Sequence, residues 1–381
     1  MANGIDTYIF KLASFCNLNC SYCYYFNAAD RSFMGRPKLM SMEVVNLTVD
    51  KIIEHAQANA ITAVDLTLHG GEPLLYKKSG FKDVMKAFDR IDAAGIVTRR
   101  KCQTNAVLID REWAELMAEW GIYLGISMDG PQAVHDQFRV DHAGRGSYTQ
   151  TRRGLALALE QEAAGLHTSV LSVVDPRQSG RDAYRHLRSL GVKRMDFLIP
   201  ESNYAYPPDH YEPLGESTPY GDFLNEVFDA WIEEDDPSTN VRLLDRMVRS
   251  FLGQGFKSDV VGGAPVNVAV IETDGSIEPT DNFKACADGM TDLGLSVYSN
   301  SFDDLYADPF FRLCIASSSQ VPEMCHSCRH FDRCGGGRIS TRYSREEGFA
   351  RRTIYCNDLL ASFDHIGAAV RALGETETAA D

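Results

Sequence analysis

No stretch of this chain stays apolar for the roughly 18 residues that a membrane-spanning helix needs, and the N-terminus has no basic region leading into an apolar one. A membrane anchor and a secretion signal are therefore not expected, which makes the cytoplasm the expected compartment. Clustered Lys and Arg are also missing. Against 53 acidic residues stand 38 basic ones, a formal charge of −15, which is the wrong sign for gripping a phosphate backbone, so no nucleic-acid partner is expected. The longest charge run, Glu233 to Asp236 before Pro237, reads as a solvated helix end. There is no internal repeat, and no low-complexity segment beyond the small polar residues at the C-terminus, which read as a frayed tail.

What is present is enough chain for a large core. The 381 residues, 44% hydrophobic and 24% charged, describe a globular protein of two domains or one barrel with additions. Ten cysteines in a reducing compartment do not read as a disulfide framework. Thiols at short spacings read instead as metal ligands.

Six apolar runs ("TYIFKLA", "AVDLTLH", "GIVTRRKCQT", "YLGISM", "HTSVLSVV", "RMDFLIP") alternate with segments of helical periodicity such as Ser41 to Ala58 and Glu112 to Trp120. That is the spacing of βα units and predicts a parallel sheet. Six units over about 200 residues suit a partial (β/α)6 barrel of the TIM type, open on one side. The unusual motifs all follow apolar runs: three cysteines after the first, "GGEP" after the second, "QTN" after the third, "SMDG" after the fourth. In parallel α/β folds functional groups gather at the carboxyl ends of strands, so all four motifs are expected on one rim. Beyond Asp209 come helical stretches from Tyr220 to Ile232 and Val241 to Leu252, then "NVAVIETDGSIEPTD", whose Asp-Gly turn between apolar runs is a hairpin signal. A cysteine-rich tail follows, with Cys356 opening a last helix. The division expected from this pattern is 1–208 barrel, 209–255 helical bridge, 256–370 cysteine-rich domain with a β-hairpin, and 371–381 flexible tail.

Cys16, Cys20 and Cys23 can wrap one corner of a cubane cluster, ligating three irons and leaving the fourth for a small molecule. A structural zinc site closes with four ligands, and no fourth lies nearby in sequence; three buried cysteines at chance spacing is the other reading. Cys325, Cys328, Cys334 and Cys356 supply four thiolates, which on spacing alone suit a tetrahedral zinc or a cubane equally.

The Cys-x3-Cys-x2-Cys loop with Tyr22 before its last cysteine, followed by Gly70-Gly71-Glu72-Pro73, resembles the radical SAM enzymes. The resemblance implies a [4Fe-4S] cluster that binds S-adenosyl-L-methionine, whose reductive cleavage gives a 5′-deoxyadenosyl radical. It further implies that Gly70 and Gly71 allow close backbone approach and that Glu72 accepts from the methionyl ammonium; a tight turn is the bland alternative. Ser127 is implied at the ribose or methionyl end and Arg139 at the carboxylate, with Gln103, Asn105 and Asp129 either contacting the cofactor or serving as supporting or turn residues. The tail resembles the SPASM domain and implies one auxiliary [4Fe-4S] cluster, since Thr280, Arg338 and "VGGAPVN" stand where a second would find cysteines. Cys102, Cys286 and Cys314 are left over, read as buried apolar groups, or with the last two in a second cluster site lacking two ligands.

Phrases including "GRPKLMS", "RMDFLIP", "ETDGSIEPTD", "CGGG" and "YCNDLL" resemble the FxsB-type maturases, which implies hydrogen abstraction at Cβ of a precursor-peptide residue and a cyclophane-type crosslink. "SMDGPQAVHDQFR" and the tail spacing are similar to the anaerobic sulfatase-maturing enzymes, which oxidise Cys or Ser to formylglycine; thioether formation is a further alternative. At the position resembling those enzymes' catalytic aspartate stands Asp281, a general base or else a turn or cap residue. The implied partners are the precursor peptide, a flavodoxin or ferredoxin as reductant, and a separate leader-recognition protein if the barrel or bridge does not serve. Tyr204, Tyr206 and Tyr211 read as a peptide groove or a lid. The contrasting hypothesis is a redox sensor that binds peptide without turnover.

Overall fold

The structure, a computed structural model, describes residues 4–209, 211–254, 258–316 and 319–378, with side chains as far as 372. The expected alternation is present: β1 (Thr7–Ala13), α1 (Met42–Ala58), β2 (Ala63–Gly70), α2 (Lys77–Ala93), β3 (Val97–Thr104), α3 (Arg111–Glu119), β4 (Tyr123–Ser127), α4 (Gln132–Phe138), α5 (Tyr148–Glu160), β5 (His167–Val173), α6 (Gly180–Ser189) and β6 (Arg194–Leu198). The chain continues through α7 (Pro219–Glu234), β7 (Asn240–Val241), α8 (Arg242–Phe251), β8 (Val268–Ile271), β9 (Ser276–Glu278), β10 (Leu295–Ser296), α9 (Pro309–Ala316), α10 (Glu323–His326), α11 (Phe331–Cys334) and α12 (Cys356–Thr378). This is an α/β fold, a partial barrel that does not close, with a cysteine-rich C-terminal region. Of the tail expected at 371–381, α12 takes up the residues to Thr378, and 379–381 lie outside the described residues.

Two compact units divide the chain, one of residues 1–128, 135–170 and 267–314, the other of residues 129–134, 171–266 and 315–381. The boundaries near 208, 255 and 370 remain a proposal about sequence modules, since compactness groups the chain differently.

In the first unit the strand order is β10-β9-β8-β1-β2-β3-β4. Parallel pairing runs from β1 to β2 (Thr7 opposite Asp65), β2 to β3 (Ala63 opposite Val97) and β3 to β4 (Lys101 opposite Tyr123). The hairpin β8–β9 forms across Asp274-Gly275 as the turn chemistry requires, with Ile271 opposite Ile277. It does more than stand apart: β8 also pairs parallel with β1, Thr7 opposite Val268. Helix α1 begins where the Ser41 hydroxyl accepts from Val44 N at 3.1 Å, and it buries Val45, Val49 and Ile52 completely. These fall one helical turn apart, and each is worth about 1.5–3 kcal/mol of apolar burial.

In the second unit β6 pairs parallel with β7, and α7 packs between α6 and α12. The fully buried Asp358 carboxylate ties α12 to α7, accepting from Tyr220 N at 2.8 Å and Gly221 N at 3.0 Å. These two orphan amides at a helix start need such an acceptor. Among the described residues no helix is long and apolar enough to cross a membrane.

Candidate functional site

The first cysteine set occupies the loop that leaves β1. Cys16, Cys20 and Cys23 are all half-buried and free of disulfides, with Cys23 N donating to Cys20 O at 3.0 Å. Leu18 N donates to Cys16 Sγ at 3.4 Å, and Asn105 Nδ2 reaches the same sulfur at 3.7 Å while bonding Asn17 Oδ1 at 2.8 Å. Burial first, then the Glu72 carboxylate, pushes the Cys16 thiol well up; burial does the same to Cys23. A bound cation would turn such thiols into thiolates at neutral pH.

The GGEP segment closes against this loop. Gly70 sits at φ +147, and a Cβ there would meet Ala13 O at 2.5 Å; at Gly71 a Cβ would collide with the carbonyl of Phe15. Both glycines are thus needed for the crossing of β2's end over the cysteine loop. Glu72, 1% exposed, accepts from Leu74 N at 3.0 Å, Thr104 Oγ1 at 2.7 Å and Asn105 N at 2.8 Å. Burial pushes its pKa up to about 7 against these bonds. Its carboxylate therefore holds the ends of β2 and β3 together, and a role on the methionyl ammonium stays a proposal.

The other expected positions divide. Gln103 Nε2 donates to Ser127 Oγ at 2.8 Å at the ends of β3 and β4. Arg139, nearly buried, lies with its guanidinium carbon 5.4 Å from the centre of the Tyr22 ring. Asp129 accepts from Val173 N at 2.9 Å within the second unit. Of the loop tyrosines, Tyr204 donates to Arg352 O at 3.1 Å, Tyr211 donates to Asp358 Oδ2 at 2.6 Å and Tyr206 Oη accepts from Arg345 Nη2 at 3.1 Å, so all three phenols are engaged within the second unit.

Asp281 lies buried in the first unit. It forms an ion pair with Lys11, itself fully buried on β1, and accepts from Tyr24 Oη at 3.1 Å; Lys11 Nζ also lies 3.0 Å from His69 Nδ1. Burial pushes the Asp281 carboxyl up, but the neighbouring Lys11 and His69 outweigh it and leave the pKa at about 2. Burial, then Lys11, lowers His69 to about 3, so its ring is neutral. Lys11 and His69 went unnoticed in the sequence. The signal was there: a lysine inside an apolar strand and a histidine closing the next one.

A second buried charge group pins the same region. Arg36 pairs with Glu278 and lies 2.9 Å from Glu272, while Lys284 sits 2.8 Å from Glu278 and 3.3 Å from Glu272. Tyr25 Oη adds a bond to Glu272 at 2.7 Å. These charges fasten the segment after the cysteine loop to the β8–β9 hairpin, and so fix Asp281 near the end of β1.

The four tail cysteines line one cavity of about 210 Å³, together with Met324, Phe331, Arg352 and Phe363. Among the described residues no three His, Cys, Asp or Glu converge as a single ion requires. A cubane gives each thiolate its own iron and needs a wider cage, and the cavity is far larger than the roughly 30 Å³ share of one water. The donor set fits a cluster better than zinc. Arg338, where a further cysteine was sought, instead pairs with Glu201 and with Asp259 at 2.9 Å. Cys102, Cys286 and Cys314 are each 2% exposed or less, and burial holds the Cys314 thiol at about 12.

Residues 10–190 match the model of the radical SAM superfamily. A cysteine-type anaerobic sulfatase-maturating enzyme of Clostridium perfringens is 25% identical over 93% of this chain and 94% of its own. A serine-type anaerobic sulfatase-maturating enzyme of Bacteroides thetaiotaomicron is 24% identical over 92% and 86%. The solved structure of native anSMEcpe with bound AdoMet and Cp18Cys peptide shares the fold, with TM-score 0.81 at 23% identity over 98% of this chain and 99% of that one. The α/β barrel of this chain thus carries a radical SAM domain.

Proposed function

We propose that this protein is a radical SAM maturase that oxidises the β-carbon of a Cys or Ser residue in a peptide substrate, in the manner of the sulfatase-maturating enzymes. The observation that carries this reading is the ionised Asp281 carboxylate, held by Lys11 and Tyr24 at the end of β1, where the three-cysteine loop begins. Cys16, Cys20 and Cys23 would hold the iron–sulfur cluster and Ser127 and Arg139 would contact S-adenosylmethionine. With a one-electron donor, the bound groups would supply a 5′-deoxyadenosyl radical able to take a hydrogen atom from Cβ.

The residues of the chain handle what remains. Loss of the Cβ hydrogen makes the adjacent O–H or S–H far more acidic, so even a weak base suffices to take that proton. Asp281, ionised down to about pH 2, is such a base. The last electron must leave the substrate radical, and the four-cysteine site is the proposed acceptor. The crosslinking reading also needs a second side chain of the peptide held at bonding distance, whereas the relatives that match over nine-tenths of this chain are named for maturation of the Cys or Ser type. It therefore yields to oxidation at a single residue.

The test is anaerobic incubation with dithionite, S-adenosylmethionine and peptides carrying Cys or Ser. The expected result is 5′-deoxyadenosine together with an aldehyde at one residue, Ser losing two hydrogens directly and Cys giving a thioaldehyde that water converts to the aldehyde with release of hydrogen sulfide. Fragmentation showing two linked residues would favour crosslinking, and no 5′-deoxyadenosine would favour a sensor.

A further inference from the structure

Arg342 is among the most deeply buried side chains of the molecule, 1% exposed, and has no carboxylate partner among the described residues. Its guanidinium donates only to carbonyls: Gly335 at 3.2 Å, Gly336 at 3.0 Å, Gly337 at 2.7 Å and Gln320 at 3.1 Å. Three of the four come from consecutive glycines at φ +65, +85 and +68. Only glycine adopts that conformation three times running without strain, and a Cβ on Gly336 would lie 2.9 Å from the guanidinium itself. The "CGGG" segment is therefore a cradle built around one cation.

Carbonyl dipoles satisfy the hydrogen bonds of a guanidinium but leave its full charge in a low-dielectric interior. Such a charge costs several kcal/mol unless an anion compensates it. Gly336 lines the four-cysteine cavity beside Cys334, and its carbonyl accepts from Arg342 Nε at 3.0 Å, which sets the guanidinium against the cavity wall. On the cavity wall a second cation, Arg352, places Nη1 3.9 Å from Cys356 Sγ.

We propose that Arg342 is the fixed counter-cation of the four-cysteine site and raises the reduction potential of the iron–sulfur cluster held there, which suits that cluster to accept an electron. This rests on the reading of the four cysteines as a cluster site. The step is a one-electron reduction: it adds one negative charge to a group of thiolates and sulfides, and a fixed positive charge nearby favours it. Net charge and hydrogen bonding to sulfur are the levers that set such potentials.

The test is a redox titration with mediators, followed by electron paramagnetic resonance. It uses anaerobically reconstituted protein in a Cys16→Ala, Cys20→Ala, Cys23→Ala background, so that only the tail site reports. Arg342→Met is expected to lower the midpoint by at least a tenfold change in the reduction equilibrium, 59 mV for one electron; Arg342→Lys, which keeps the charge, is expected to stay within that margin. An unchanged midpoint in Arg342→Met overturns the proposal. Should Arg342→Met hold no iron, the lysine variant decides. Retention of the cluster at an unchanged midpoint supports the counter-charge, and equal loss of iron assigns Arg342 a packing role and overturns it. Zinc at the four cysteines overturns it as well. No peptide enters the titration, so failure of the peptide chemistry leaves this result standing.

Discussion

The two cysteine sets use one ligand type in different electrostatic settings. The first offers three thiols on a loop, with amide donors and the buried Glu72 carboxylate beside Cys16 and the cations Lys11 and Arg139 acting on Cys23. The second offers four thiols around a cavity, with Arg342 and Arg352 beside them and no acid among the lining residues. Three thiolates leave an iron that a small molecule can chelate; four close the cluster. A neighbouring carboxylate disfavours adding an electron, and neighbouring guanidiniums favour it. The contrast is the one that the proposed division of labour needs, in which the first site would deliver an electron to the sulfonium and the second would accept one from the substrate radical.

The sharpest way to break this contrast is to delete each set. Replacing Cys16, Cys20 and Cys23 by Ala is expected to abolish 5′-deoxyadenosine formation, while replacing Cys325, Cys328, Cys334 and Cys356 by Ala is expected to leave it and remove the peptide product. Chromatography of the nucleoside beside mass spectrometry of the peptide separates the two. If both sets prove equally necessary for nucleoside release, the division fails.

Next in size is Asp281→Asn, expected to cost about 10²–10⁴ in peptide oxidation with 5′-deoxyadenosine still released. Lys11→Met strands the Asp281 carboxylate in the interior and is expected to destabilise the fold by about 3–5 kcal/mol, read by denaturant unfolding. It also removes the charge that holds the Asp281 pKa near 2. The rate of peptide oxidation should then gain an acid-side fall that the parent chain lacks between about pH 5 and 8. A profile unchanged by the substitution would detach Lys11 from the reaction.

The smallest effect expected concerns Glu72. Burial raises its folded pKa to about 7 from the ordinary 4.5, so the folded state binds the extra proton in that window. Its contribution to stability is present below about 4.5, is lost as pH rises to about 7, and is flat above. Glu72→Gln should abolish that part of the pH dependence while weakening the bond from Asn105 N.

Much of the frame was legible. Alternating apolar runs placed all six barrel strands because period and turn chemistry are local, and the Asp-Gly hairpin formed where expected. The pairing of β8 with β1 was not legible, since nothing within "NVAV" says which distant strand it joins. The cysteines and GGEP could be read because their spacing is itself the chemistry. Lys11, His69 and Arg342 could not, because a buried charge matters through partners far off in the chain: 270 residues separate Lys11 from Asp281. Glu72 shows the converse, a residue whose motif was plain while its hydrogen bonds to Thr104 and Asn105 were not.

The most direct test of the central claim is the response of each cluster to S-adenosylmethionine. With the four tail cysteines replaced by Ala, the reconstituted and reduced protein is expected to hold about four irons and to show a paramagnetic signal that changes when S-adenosylmethionine is added. Zinc in place of iron, or a signal indifferent to the sulfonium, would contradict an open iron at Cys16, Cys20 and Cys23.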